Sequence, residues 1–259
     1  MALAYSARVV EASARVYRRT WRGSVVSTFF NPILYLLAMG VGLGTLVDEG
    51  TGAANLGGLE YLTFLAPGLL AATAMMTGAG DASWPVMAGI KWRKTYDAIL
   101  ATPVGVPELV IGHLSWVGIR LIFVTVVYSG VMTAFGATTV LQGALAIPPA
   151  VLTGLGFAAV VTAYTARLKD EQGLSALFRF GIMPLFLFSG TFFPISQLPG
   201  WIQPIAYATP LFHGVSLCRG LALDTGFEVN PIVSVSYLLA LLALGTLLAT
   251  RVMRRRLIT

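Results

Sequence analysis

The chain has 259 residues, 56% hydrophobic and 11% charged, with a formal net charge of +6. Soluble domains carry about 25% charged residues, so this deficit excludes an ordinary water-soluble fold and points to a membrane. The basic residues flank apolar stretches, which reads the positive charge as membrane topology rather than nucleic-acid binding. A lone cysteine, Cys218, leaves no internal disulfide and no cysteine-based zinc site.

Along residues 1–22, Arg8, Glu11, Arg15, Arg18 and Arg22 recur at intervals of three and four on one helical face. Leu3, Ala7, Val10, Ala14, Tyr17 and Trp21 occupy the other. That pattern predicts an amphipathic helix lying in the cytoplasmic interface, with its arginines toward lipid phosphates. The basic part is too long for a cleaved signal, as is the apolar run behind it. Windows long enough to cross a bilayer, about 20 residues each, then follow at 25–47, 61–80, 109–135, 141–166, 174–193 and 231–250.

Six crossings place both termini on one side. Arg8, Arg15, Arg18, Arg19 and Arg22 lie before the first window, and Lys91, Arg93 and Lys94 after the second. Arg167, Lys169 and Arg179 follow the fourth, and Arg251, Arg254, Arg255 and Arg256 close the chain. The opposite loops hold Asp48, Glu49, Glu60, Asp224 and Glu228, with Arg219 their one base. Positive residues stay cytoplasmic, so both termini are expected inside. The segment 189–211 has four prolines and no charge, too broken for a helix and too apolar for a surface loop. A seventh crossing would carry the C-terminal arginines outside. The segment 194–223 is therefore expected to dip in from the outer face as a re-entrant helical hairpin, covered by spans five and six or a partner. The expected fold is a single all-α integral membrane domain over 1–259.

No phosphate-binding loop of the G-x-x-x-x-G-K-[ST] type occurs, and no H-E-x-x-H zinc motif. His113 and His213 fall near opposite membrane faces, which argues against a shared metal. Ser189-Gly190 lacks the preceding glycine of an intramembrane serine protease. No catalytic residue or metal site is identified. Few acidic residues lie within the spans, which weakens a proton-driven carrier; Asp81 and Glu108 read as interfacial caps. In the cytoplasmic stretch 90–102, Trp92, Tyr96, Ile99 and Leu100 share one helical face, with Arg93 and Lys94 beside them. Such a helix can lie on lipid or fit a groove in another protein.

The stretch KTYDAILATPVGVPELVIG resembles the cytoplasmic coupling helix of permeases in the type-2 ATP-binding-cassette exporter family. LFSGTFFPISQLPGWIQPIAYATPLFHGVSLCRG resembles that family's signature more specifically, through Ser189, Gly190, Phe193, Pro194, Leu198, Pro199, Pro210, His213 and Arg219. It is similar to the branch that contains nodulation-factor and daunorubicin-type drug exporters. The resemblance covers nearly the whole chain. It implies a permease subunit of the cell membrane that pairs with a second permease and sits on two separate ATPase subunits. ATP and Mg would be held on those partners, with no cofactor on this chain. It also implies efflux of a hydrophobic or amphipathic substrate, such as a drug, lipid or lipo-oligosaccharide, with drug resistance as one outcome. A gradient-driven carrier and an intramembrane enzyme are the rival classes.

His113, Trp116 and Arg120 share one face of span three. They form either a polar patch on a substrate path or dimer interface, or a site where Arg120 snorkels to headgroups or pairs within the bundle. His213 and Arg219 read as structural caps or substrate contacts. Gly40, Gly42 and Gly44 offer a close helix approach. The topology is tested by an impermeant thiol label in intact cells. A cysteine at Gly200 is expected to react from outside and one at Thr259 to stay protected; a tail labelled from outside overturns the six-crossing reading.

Overall fold

The computed structural model describes residues 2–49, 56, 58–223 and 226–258, so Asp224, used above for topology, lies outside them. The described residues are helical with no strand. The helices are α1 (Ala2–Tyr35), continued through wider π-helical turns (Leu36–Leu43) into α2 (Gly44–Asp48), and α3 (Tyr61–Met87), prolonged by π-helical turns to Trp92. Then follow α4 (Thr95–Leu100), α5 (Val106–Ala134), α6 (Val140–Leu145), α7 (Ile147–Thr165), α8 (Gln172–Leu177) and α9 (Met183–Phe188). The last three are α10 (Gln203–Tyr207), α11 (Pro210–Leu223) and α12 (Pro231–Leu257).

Among the described residues, five stretches are long and apolar enough to cross a membrane: Trp21–Asp48, Tyr61–Trp92, Val106–Ala134, Val140–Thr165 and Pro231–Leu257. The window expected at 174–193 is shorter. Its helix runs Gln172–Phe188 and ends where Ser189 and Gly190 turn the chain, Gly190 at φ 80°. The fourth stretch breaks at Ala146 because Pro148 lacks the N–H needed inside a helix and sits in the first turn of α7 instead.

The amphipathic segment 1–22 is not a separate element. Helix runs without interruption from Ala2 to Asp48, since a single Gly23 costs only about 1 kcal/mol and breaks nothing. Near its start the helix packs on α5: a Cβ on Gly112 would lie 2.6 Å from that of Val9. Tyr17 meets Trp116 edge-on, centroids 5.6 Å apart. The face expected toward lipid is thus partly covered by protein.

The centre of the bundle is α7 against α3, with α12 on the far side of α7 and α5 beside both. Two glycines set this crossing. A Cβ on Gly154 would lie 2.7 Å from the Ala74 carbonyl and from Leu121, and one on Gly78 would strike Gly154's own backbone. Small residues let helices approach closely where lipid supplies no hydrophobic drive. Of the glycines expected in that role, Gly40 faces Leu62, whereas Gly42 meets only a carbonyl of its own helix, that of Leu37. Helix α11 wedges mainly against α3, with α12, α7 and α6 around it. Of the two spans expected to cover the hairpin, span six does so, while span two stands where span five was expected. We expect Gly154→Leu to destabilise the detergent-solubilised protein by about 1–3 kcal/mol or more through overpacking. Gly42→Leu, on an exposed face, should change it by less than about 0.5 kcal/mol; thermal unfolding curves measure both.

Candidate functional site

Past Met87 the chain leaves α3 by π-helical turns ending at Trp92, then breaks. Lys94 takes the left-handed conformation, φ 49°, and α4 begins at Thr95. Trp92 and Tyr96 therefore sit on different helices, not on one face as the periodicity suggested. Tyr96 folds back onto α3's extension, where a Cβ on Gly89 would lie 2.7 Å from its ring. Burial raises the pKa of its hydroxyl and keeps it neutral. Ile99 and Leu100 also pack inward. Trp92 stacks on Trp84 at 6.4 Å and stays half exposed, while Arg93, Lys94, Asp97 and Ala98 are open. The six residues expected to couple thus divide: Tyr96, Ile99 and Leu100 anchor the segment, and Trp92, Arg93 and Lys94 face out.

Directly behind this segment lies a cavity of about 600 Å³, bounded by α1, the end of α3, α4 and the first turns of α5. Trp84, Trp92, Trp116, Tyr17 and Tyr96 supply aromatic walls. At its inner end the Arg120 guanidinium donates to Asp81 Oδ1, and lies 5.3 Å from the Tyr17 ring centroid. Asp81 is not an interfacial cap, as expected, but a charge within α3. Arg120 pairs within the bundle instead of snorkelling. His113 is buried, and neither its Nε2 nor Asp81 Oδ2 has a hydrogen-bond partner among the described residues.

The signature residues of the hairpin collect at the other end of α3. Arg219 is 6% exposed. Its guanidinium lies 3.8 Å from the Phe64 ring centroid and donates to the Gly190 carbonyl (2.9 Å), the Phe64 carbonyl (3.4 Å) and Glu228 (3.2 Å). Ser189 Oγ accepts from Thr209 Oγ1 at 2.9 Å. His213 Nδ1 meets Ser234 Oγ at 3.0 Å, and its ring stacks on Tyr237 at 4.4 Å. Leu198 packs with Ile195, Ala206 and Phe212, and Phe193 leans on that cluster. The Pro194 and Pro199 carbonyls accept turn hydrogen bonds, and Pro210 opens α11. These contacts make His213 and Arg219 braces of the hairpin. Asp81 is the site residue that composition and periodicity did not single out. Its signal was an acid facing the one arginine inside span three, at a comparable depth.

The geometry thus has a segment with an anchored inner side and an exposed, charged outer side at one end, a braced hairpin at the other, and a bundle of apolar helices between them. The chain belongs to the ABC-2 type transporter family, whose description matches residues 8–223. It is a multi-pass membrane permease, the transport component of its kind. It is 27% identical over 241 residues to nodulation protein J of Rhizobium meliloti (strain 1021), covering 93% of this chain and 89% of that protein. To nodulation protein J of Rhizobium leguminosarum bv. trifolii it is 28% identical over 246 residues, covering 93% and 90%. To the inner membrane transport permease YadH of Escherichia coli (strain K12) it is 21% identical over 200 residues, covering 77% and 75%.

Replacing Arg219 by Met keeps the stacking area over Phe64 but removes the donor to the buried Gly190 carbonyl, a loss of about 1–3 kcal/mol. We expect a lower unfolding temperature for Arg219→Met. Lysine, a point charge without the fork, should restore only part of it.

Proposed function

We propose that this permease is the membrane half of an ATP-driven exporter. Its two ATPase partners hold ATP and Mg, a second permease subunit completes the assembly, and the cargo is hydrophobic or amphipathic. A drug, a lipid and a lipo-oligosaccharide all fit that description. The observation that carries the reading is the segment Arg93–Ala98. Its inner residues are locked to α3 through Tyr96 and Gly89, and its outer residues are exposed and charged. A push on Arg93 or Asp97 is passed into a helix that runs 32 residues without a break. An ATPase that binds this segment differently in its two nucleotide states would shift α3 between two positions; equal binding would shift nothing.

In this reading Gln172–Phe188 is the sixth crossing. Its 17 residues span about 26 Å of helix, short of the ~30 Å hydrocarbon layer, which thins locally to fit. Both termini are cytoplasmic, residues 194–223 re-enter from outside, and the first turns of α1 lie at the inner interface. Contacts at one end of the bundle support this. Arg256 donates to the Ala166 and Leu168 carbonyls, and Lys91 pairs with Glu171 at 3.4 Å. The arginine-rich tail is thereby gathered with two basic loops. At the other end, Asp48 accepts the Tyr61 N–H.

The double variant Arg93→Glu/Asp97→Lys reverses the exposed charges and leaves the buried anchor alone. In the permease co-purified with its ATPase, we expect transport-coupled hydrolysis to fall at least ~10-fold, the equivalent of about 1.4 kcal/mol of docking energy, with the unfolding temperature unchanged. Normal coupled transport in that variant refutes the docking role. A chain that never retains an ATPase, yet transports on a gradient alone, supports the carrier class.

A further inference from the structure

Helix α12 has two faces in opposite surroundings. Leu238, Gly245, Ala249 and Met253 are buried, and a Cβ on Gly245 would lie 2.8 Å from the Ala159 Cβ and the Val160 nitrogen of α7. Arg256 continues that stripe one turn on and is used within the fold, donating to the Ala166 and Leu168 carbonyls. On the other face Leu244, Leu247, Leu248, Arg251, Arg254 and Arg255 follow at three- and four-residue intervals, and all are exposed. Among the described residues, neither Arg251 nor Arg254 has an acidic partner. The helix is uncharged from Pro231 to Thr250, about 30 Å of rise, which matches the ~30 Å hydrocarbon layer. Arg251 therefore meets the membrane at the edge of that layer. From Arg251 to Arg255 is about 6 Å along the axis, the depth of one headgroup layer, about 5–8 Å.

We infer that this face binds an anionic phospholipid. The acyl chains lie along Leu244, Leu247 and Leu248, and the phosphodiester is shared by Arg251 and Arg254, with Arg255 beside them. An arginine fork suits a phosphate because two N–H groups meet two oxygens in parallel. A zwitterionic headgroup offers the same phosphate but brings an ammonium that the arginines repel; an anionic headgroup brings none. At the edge of the hydrocarbon the attraction is weakened less than in bulk water. A second copy of the chain fits this face poorly. In a two-fold contact the same patch meets itself, which would set arginine against arginine. A soluble ATPase would stand beyond the headgroup layer that these residues occupy. Bound here, the lipid fixes the depth of α12 and, through Arg256, the turn that follows α7. This inference rests on α12 as a crossing, and in the topology proposed above the leaflet is the inner one.

The test uses the full chain in phosphatidylcholine vesicles, without ATPase. Leu247→Cys is labelled with a bimane, and the chain carrying only buried Cys218 sets the background. Brominated phosphatidylglycerol and brominated phosphatidylcholine are compared as quenchers. Phosphatidylglycerol should occupy the site at least ~5-fold more strongly, the gain of a single arginine at an anionic headgroup. Arg251→Gln with Arg254→Gln should bring the two lipids level, and Arg254→Gln alone should fall between. Arg167→Gln with Lys169→Gln removes the same charge from an exposed turn and should leave the preference intact. Quenching by phosphatidylcholine shows in each variant that α12 is still inserted. Soluble glycerol phosphate should not relieve the quenching. Equal quenching by the two lipids in the parent, or a preference that survives the Arg251/Arg254 change, overturns the site. A preference lost equally in both double variants is a diffuse response to net charge and also overturns it. Absence of quenching by either lipid puts protein over this face, and relief by glycerol phosphate makes the ligand a free phosphate; each overturns the lipid assignment. No hydrolysis is measured, so the ATPase-docking proposal stands or falls on its own test.

Discussion

A guanidinium inside a lipid-embedded bundle cannot find water, so it has to be met by acceptors and ring faces supplied by the chain. Arg219 and Arg120 are each met in that way, and the architecture is arranged around them. Arg219 draws together the Phe64 ring and carbonyl, the Gly190 carbonyl and Glu228. Through that one side chain the turn after α9, the first turns of α3, helix α11 and the segment before α12 are held in register. Arg120 does the same on a smaller scale, joining α5 to α3 through Asp81 and to α1 through Tyr17.

Both tethers end on α3, as does α4 through Tyr96 and Gly89. The helix is therefore gripped near Phe64, Asp81 and Gly89, and its close crossing with α7 at Gly78 and Gly154 lies between the first two of these. A close-packed crossing of that kind does not deform continuously; it transmits a displacement or switches between arrangements. The wider π-helical turns at Leu36–Leu43, Ala88–Trp92 and Phe178–Ile182 fall where helices change duty. Such turns are frequent at functional sites, and one of them sits between α3 and α4.

The apolar windows carried most of the fold. Five of the six windows match helices long and apolar enough to cross. What failed did so for identifiable reasons. The window 174–193 overran because Ser189 to Phe193 are as apolar as a helix but are held in a turn by Arg219, 29 residues away from Gly190. The coupling face was drawn through Trp92 and Tyr96 because nothing local announces a left-handed lysine at position 94. The N-terminal helix was assigned to lipid because its apolar face is chemically indifferent to whether lipid or α5 covers it. Asp81 was placed at a helix end because its partner lies 39 residues away, and contacts of that range leave no mark on periodicity.

The ion pair also limits what kind of explanation suits it. Replacing a buried pair by well-packed apolar residues is often neutral or stabilising, because desolvation consumes most of the Coulombic gain. Asp81 and Arg120, with side chains 14% and 24% exposed, are thus a poor device for stability alone. Leucines would join α3 to α5 equally well. The pair differs from leucines in being able to part and be solvated by something polar, which an apolar contact resists.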